Sequence, residues 1–269
     1  MIDTSKTLAP PGHHITLSAH NPSDALGVAD RQQAELDMRE SVVRIAELQH
    51  RLWAEGRRSL LVVLQAMDTG GKDGVIRHVF SGMNPMGMRV VAFGIPTELE
   101  LSHDFLWRIH KEVPPRGKIG VFNRSHYEDV VIARVHNLVP EDVWRRRYAE
   151  IREFERHLTD NGVVILKLFL HISKEEQLKR LKSRLTDPKK NWKLSPDDFR
   201  DRKHWKDYQL AYEDAITECG VPCAPWRIIP ADRKWLRNVV VAQIVRETLE
   251  AMDPQIPPAK FDFTTIEVE

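Results

Sequence analysis

Cysteine is nearly absent from these 269 residues: Cys219 and Cys223 are the whole complement. They supply neither a disulfide framework nor a complete zinc set, so the hydrophobic core must hold the fold. Flanking Gly220 and Pro222, they read as packing residues in a turn. No apolar run approaches the roughly 20 residues of a membrane helix, and no basic start leads into an apolar stretch. A cytoplasmic protein without a membrane partner is expected. Excess charge of one sign is also missing, with 40 Lys and Arg against 39 Asp and Glu. That balance, with no base-reading module in view, argues against a nucleic-acid partner.

What the chain does contain is alternation. Residues 1–24, with Pro10, Pro11, Gly12 and Pro22, read as an extended N-terminal arm laid on the surface or left mobile. Helical spacing of Met38, Val42, Ile45, Leu48 and Leu52 predicts a long helix from about Asp24 to Glu55, ended by Gly56. Strands are expected at Ser59–Gln65, Met88–Phe93, Lys118–Phe122, Val163–Leu170 and Trp226–Ile229, and helices at Leu101–Lys111 and from about Arg233 to Met252. Strands alternating with helices imply an α/β fold, a parallel sheet sandwiched by helices. The single domain is placed at 25–253, with a tail over 254–269. Between Ser173 and Tyr212 the chain turns polar, with nine Lys/Arg against three Asp/Glu from Lys167 to Lys193. That segment reads as a projecting helical lid, about 173–212.

The sharpest chemical signal is Ala66-Met-Asp-Thr-Gly-Gly-Lys-Asp-Gly74, between the first strand and a helix. It has the Gly-Lys spacing of a phosphate-binding P-loop. Backbone N–H groups of Thr69, Gly70, Gly71 and Gly74 and a helix N-terminus would meet phosphate oxygens, and Lys72 would reach the outer phosphates. Ala66 replaces the first Gly of that pattern, and Asp73 stands where Ser or Thr usually offers a hydroxyl to Mg²⁺. Carboxylates at Asp68 and Asp73 are tolerable beside phosphate if divalent cations lie between them. Asn123-Arg-Ser-His-Tyr-Glu-Asp129 ends the third strand. Arg124 there could neutralise a transferring phosphoryl group, with Glu128 and Asp129 as metal or substrate contacts. Judged alone, those three read equally well as a salt-bridged helix start. The basic lid, including Lys182, Arg184 and Lys189, could close on a polyanion, and Arg77 and His78 could line an anion channel. Asp104 and Arg108, four apart, read as a pair on one helix face.

Taken in order, the loop motif, Pro96-Thr-Glu98, His103–Arg108, Phe122–Tyr127 and the Pro188–Lys193 lid resemble the polyphosphate kinase 2 family over about residues 30–255. The resemblance implies a five-stranded P-loop kinase fold like that of thymidylate kinase. It implies Mg²⁺-dependent, reversible transfer of a terminal phosphoryl group from inorganic polyphosphate to a nucleotide, with Mn²⁺ as a substitute ion. Residue by residue, it makes Asp68, Lys72, Arg124 and Arg184 catalytic. It makes Arg108, Asn123, Arg124, Tyr127 and Glu128 nucleotide contacts, and Asp68, Asn123 and Glu128 metal contacts. Many members have Asp where Asn123 stands, and Glu128 resembles the subgroup that phosphorylates AMP as well as ADP. Adenine nucleotides, with guanine as a second base, and a homo-oligomer are implied by resemblance only. The rival readings are an ATP-dependent kinase of the thymidylate kinase type and a non-catalytic nucleotide or polyphosphate sensor.

Overall fold

The computed structural model describes residues 2–259 and 261. In chain order its elements are α1 (Arg31–Glu55), β1 (Ser59–Ala66), α2 (Lys72–Val79), β2 (Met88–Ala92), α3 (Glu98–Leu101), α4 (Trp107–His110), β3 (Ile119–Asn123), α5 (Glu128–Val135), α6 (Glu141–Asp160), β4 (Val163–His171), α7 (Lys174–Thr186), α8 (Pro196–Lys203), α9 (Trp205–Cys219), β5 (Trp226–Pro230) and α10 (Lys234–Met252). The five strands form one sheet in the order β2-β3-β1-β4-β5, every neighbouring pair parallel. Among the described residues no helix is long and apolar enough to cross a membrane.

β1 is central, and its eight residues are all buried, which is why it reads as an unbroken apolar run rather than an alternating one. Leu60, Val62 and Leu64 enter one core with Ile45 and Leu48 of α1, Val75 of α2 and Val241 of α10. Leu61 and Val63 enter the other with Val131 of α5, Ile151 of α6 and Tyr212 of α9. Leu64 of β1 pairs with Asn123 of β3, and Ala66 with Leu170 of β4, so three strands finish at one level. The chain leaves β1 toward β2 on one side and later crosses to β4 on the other. The crevice at the carboxyl end of β1 is the topological switch point where such sheets bind ligands.

Two expected helices differ in detail. α1 starts at Arg31, not near Asp24: Leu26 (φ 50°) and Gly27 (φ 79°) turn the chain, and Asp30 then caps the N–H groups of Gln32 and Gln33. The helix expected over Leu101–Lys111 is two short ones. Ser102 Oγ bonds back to the Leu99 carbonyl, and Asp104 accepts from the Leu106 N–H, so local side-chain bonds end one helix and open a turn.

The arm also adheres closely. Its Ile2, Ala9, Ile15 and Leu17 are buried, the Ala9 N–H donates to the Trp226 carbonyl (2.9 Å), and Leu8 bridges Arg227 antiparallel along β5. Within 173–212 the projecting part is shorter than its composition suggests, because α9 buries Tyr208, Ala211 and Tyr212 in the second core. Of the tail, 260 and 262–269 lie outside the described residues.

Candidate active site

The turn after β1 is built by close approach. A Cβ on Gly70 would sit 2.4 Å from the Ala66 Cβ, and Gly71 has φ +102°, so neither position admits a side chain without rebuilding the turn. Thr69 also adopts the left-handed region (φ 63°). α2 follows directly, its N-terminus capped by Gly71 with no side-chain hydrogen bond, which leaves backbone N–H groups there for an anion.

Lys72 opens α2 and is buried, its Nζ 3.2 Å from the Ala66 carbonyl. Burial lowers its pKa, the positive charge of Arg124 adds to that, and Asp68, Glu128 and Asp73 oppose it. Arg124 follows β3 with its backbone in the left-handed region (φ 65°), an uncommon conformation that aims the side chain back across β1. Its guanidinium meets the Asp68 carboxylate at 3.1 Å. Burial works against that guanidinium's charge, but Glu128 and Asp68 outweigh it and raise its pKa. Glu128 responds oppositely: burial raises its pKa although Arg124 and Lys72 pull it down.

Asp73 joins three elements. It accepts from Asn123 Nδ2 at 3.0 Å and pairs with Lys193 Nζ at 3.0 Å. These partners explain how a carboxylate occupies the position of the usual hydroxyl. The segment expected as a lid thus reaches the loop through Lys193, while Lys182 and Lys189 are exposed on it. Arg184 bonds the Lys193 carbonyl and Asp198, bracing the segment internally, and Asp198 in turn lies within the field of Asp68 and Arg124.

Two nucleotide contacts implied by resemblance lie buried. Tyr127 is fully buried, its hydroxyl donating to Glu155 at 2.8 Å and accepting from Lys167 at 2.9 Å, so it is a core residue with no face for a ligand. Arg108 is buried as well, held by the Gly94 carbonyl at 2.9 Å and Asp129 at 3.5 Å. It therefore does not pair with Asp104 but ties the α4 region to α5. Arg77 is exposed on α2. His78 faces a cavity of about 950 Å³ between α1, α2, α7 and α10, lined by five Lys/Arg against three carboxylates. Lys234 on its wall has its pKa lowered by burial and then by Arg180.

Sequence reasoning missed Arg180, treated only as part of a basic run. It is buried and donates to the carbonyls of Thr69 (3.0 Å), Gly70 (3.2 Å), Ala231 (2.6 Å) and Asp232 (3.0 Å). Backbone acceptors leave no pattern in a sequence, so no motif could have pointed to it.

Among the described residues no three His, Cys, Asp or Glu side chains gather into a metal cage. Asp68 and Glu128 flank the Lys72–Arg124 cluster, and Asn123 keeps its amide oxygen while its nitrogen serves Asp73. Such a donor set suits Mg²⁺, which takes one or two carboxylates and completes its shell with phosphate oxygens and water.

A parallel sheet with a glycine turn, a buried lysine opening the next helix and an arginine from the neighbouring strand defines a P-loop kinase fold, the class that moves phosphoryl groups. A family model, Polyphosphate kinase 2 (PPK2), matches residues 28–257, and the chain belongs to that family. It is 52% identical over 92% of its length to an AMP/ADP-polyphosphate phosphotransferase of Meiothermus ruber, covering 93% of that protein. It is 45% identical to an ADP-polyphosphate phosphotransferase of Rhodopseudomonas palustris, over 83% of this chain and 82% of that one. A crystal structure of polyphosphate kinase 2 from Arthrobacter aurescens superposes with a TM-score of 0.93 at 41% identity, over 97% of this chain and 94% of that chain.

Proposed function

We propose that this protein transfers the terminal phosphoryl group of inorganic polyphosphate to AMP and to ADP, reversibly and with Mg²⁺. The observation that carries this reading is the meeting of Lys72, Asp68, Arg124 and Glu128 where β1 and β3 end. Donor, acceptor and transition state are all anionic, so neutralisation and positioning supply most of the catalysis. An oxygen of the acceptor's terminal phosphate attacks the end phosphorus of the polymer in line. The bond from that phosphorus to the bridging oxygen breaks, and the chain leaves one phosphoryl shorter. Lys72 and Arg124 neutralise the phosphoryl oxygens, and Asp68 orients Arg124. Bound Mg²⁺, or Mn²⁺ in its place, would be held by Asp68, Glu128 and the Asn123 amide oxygen and would supply further neutralising charge. The Lys193–Asp73 contact closes the lid over the loop and keeps water from the transfer. The basic cavity beside His78 and Lys179 gives the remaining polymer a track. Adenine as the base, with guanine as a second, a homo-oligomer and a cytoplasmic location belong to the same reading.

Incubation with Mg²⁺, AMP and long-chain polyphosphate, without ATP, is expected to yield ADP and then ATP, followed chromatographically. If only separately supplied ADP is phosphorylated, the AMP assignment of Glu128 is wrong. If polyphosphate binds but neither nucleotide is converted, the protein is a sensor.

Glu128→Gln is expected to lose most AMP phosphorylation while keeping more of that on ADP, in parallel assays. A carboxyl whose folded pKa is raised costs stability once it ionises above that pKa. Near pH 7 the Gln variant is therefore expected to melt at the same temperature or higher. Equal loss with both acceptors, or a lower melting point, would contradict this role.

A further inference from the structure

Beneath the loop lies a second guanidinium that no motif marks. Arg237, in the first turn of α10, is 2% exposed. Its Nη1 donates to the Gly70 carbonyl (3.3 Å), and its Nε and Nη2 donate to the Asn238 side-chain oxygen (3.2 and 2.8 Å). Among the described residues no carboxylate pairs with it. Arg180 shares the Gly70 carbonyl and has one carboxylate, Glu176 at 2.9 Å. Two buried guanidiniums thus crowd one turn with a single acid between them. A Cβ built on Gly71 would fall 1.8 Å from Arg237 Nη1, and one on Gly74 would fall 2.8 Å from Nη2. The guanidinium therefore lies directly against the glycines at both ends of the Gly71–Gly74 turn. Burial lowers the Arg237 pKa to about 10, and Arg180 adds to the shift.

A buried charge without a counterion is costly, and proteins ordinarily pair it. Carbonyl oxygens satisfy the N–H donors of Arg237 but leave its charge uncancelled. They also fix direction. In a trans peptide the C=O and N–H point opposite ways, so drawing the Gly70 carbonyl down to both guanidiniums turns the Gly71 N–H away from them, toward the side where α2 presents its free N–H groups. We propose that Arg237, with Arg180, is a positioning residue for the phosphate donor: an uncompensated buried charge under the loop whose counterion is the polyphosphate. This rests on polyphosphate being the donor. The charge acts on the bound donor through a short, poorly screened path.

The test uses the full chain with Arg237→Met, which keeps bulk and removes charge, and Arg237→Lys, which keeps charge. KM for polyphosphate, KM for nucleotide, kcat and the thermal midpoint with and without tripolyphosphate are measured. Arg237→Met is expected to raise KM for polyphosphate by about tenfold, the scale of one poorly screened charge. Its kcat and nucleotide KM should change little, its own midpoint should hold or rise, and tripolyphosphate should stabilise it less. Arg237→Lys should recover most of the donor affinity. The proposal is overturned if Arg237→Met lowers midpoint and kcat with KM for polyphosphate unchanged, which is a packing role. It is equally overturned if the Lys variant binds donor as poorly as the Met variant, or if neither differs from the parent. Should the parent itself fail to use polyphosphate, the donor reading falls, while the tripolyphosphate midpoint shifts still decide whether the charge under the loop recruits phosphate.

Discussion

Lys72→Met is expected to lower kcat with polyphosphate by about 10²–10³, the usual cost of removing one preorganised transition-state contact. The side chain is buried where α2 begins, and its amine now rests on the Ala66 carbonyl. Its lowered pKa, caused by burial and by Arg124, describes a cation held without enough negative charge nearby. An arriving phosphate supplies that charge, so the amine gains most when charge on the phosphoryl oxygens is greatest. Methionine fills the same space without the charge, so the variant should fold, checked by its circular dichroism and midpoint. Arginine at this position is not a conservative replacement, because a planar five-donor fork meets phosphate differently from a compact ammonium. A folded Lys72→Met protein with normal turnover would remove the lysine from the mechanism and leave Arg124 as the principal neutralising group.

The second large effect concerns stability. Glu155 of α6 and Lys167 of β4 are both wholly buried and meet at 2.6 Å. Lys167 also bonds the Tyr127 hydroxyl and, at 2.7 Å, the Cys219 carbonyl, while His126 contacts Glu155 at 3.2 Å. Burial alone would raise the Glu155 pKa, but Lys167 and His126 more than offset that and lower it. Glu155→Ala strands Lys167 in the core without a counterion, a loss of about 3–5 kcal/mol. For a chain of this size that is a fall of about 10 °C in thermal midpoint. Since the folded pKa of Glu155 is depressed, its contribution is present above the ordinary carboxylate range and lost as pH falls through the folded value. The gap between parent and variant should therefore narrow in acid. The double variant Glu155→Met with Lys167→Met should regain much of the loss, because a packed apolar pair replaces an unpaired charge. A midpoint for Glu155→Ala close to that of the parent would mean the core relaxes around the lone ammonium.

Lys167 also marks where the sequence was readable and where it was not. Four of the five strands were legible, within a residue or two, because a buried parallel strand must be apolar on both faces; β2, exposed at three of its five residues, showed instead through its β-branched pair Val90 and Val91. The order of the strands was not legible from periodicity and came with the family resemblance. The loop was legible because glycines and a lysine at fixed spacing have few other uses. Tyr127 was misplaced because motif position says which residues stand near a strand end, not which way they point. The signal that could have corrected it was Lys167 itself, a single cation inside Val163–Leu170, which required a buried acid and a hydrogen-bonding partner close by. Arg180 and Arg237 bond backbone carbonyls, and a backbone carbonyl has no letter in the sequence. The false helix over Leu101–Lys111 failed for a related reason, since Ser102 and Asp104 bond neighbouring backbone groups and apolar spacing does not register them.

The arm along β5 has a geometric consequence. With Leu8 bridged to Arg227 and Ala9 bonded to Trp226, the Trp226–Arg227 stretch of one border of the sheet is already occupied by the chain's own first residues. The other border, β2, has no strand beside it among the described residues, and its Val90 is 43% exposed. A sheet open on both sides can add neighbours without limit. One open on a single side can join only to another like itself, about a two-fold axis, and then has nothing left to extend. The first ten residues thereby bar strand-to-strand growth at the start of β5 and leave β2 as the border open to a second sheet.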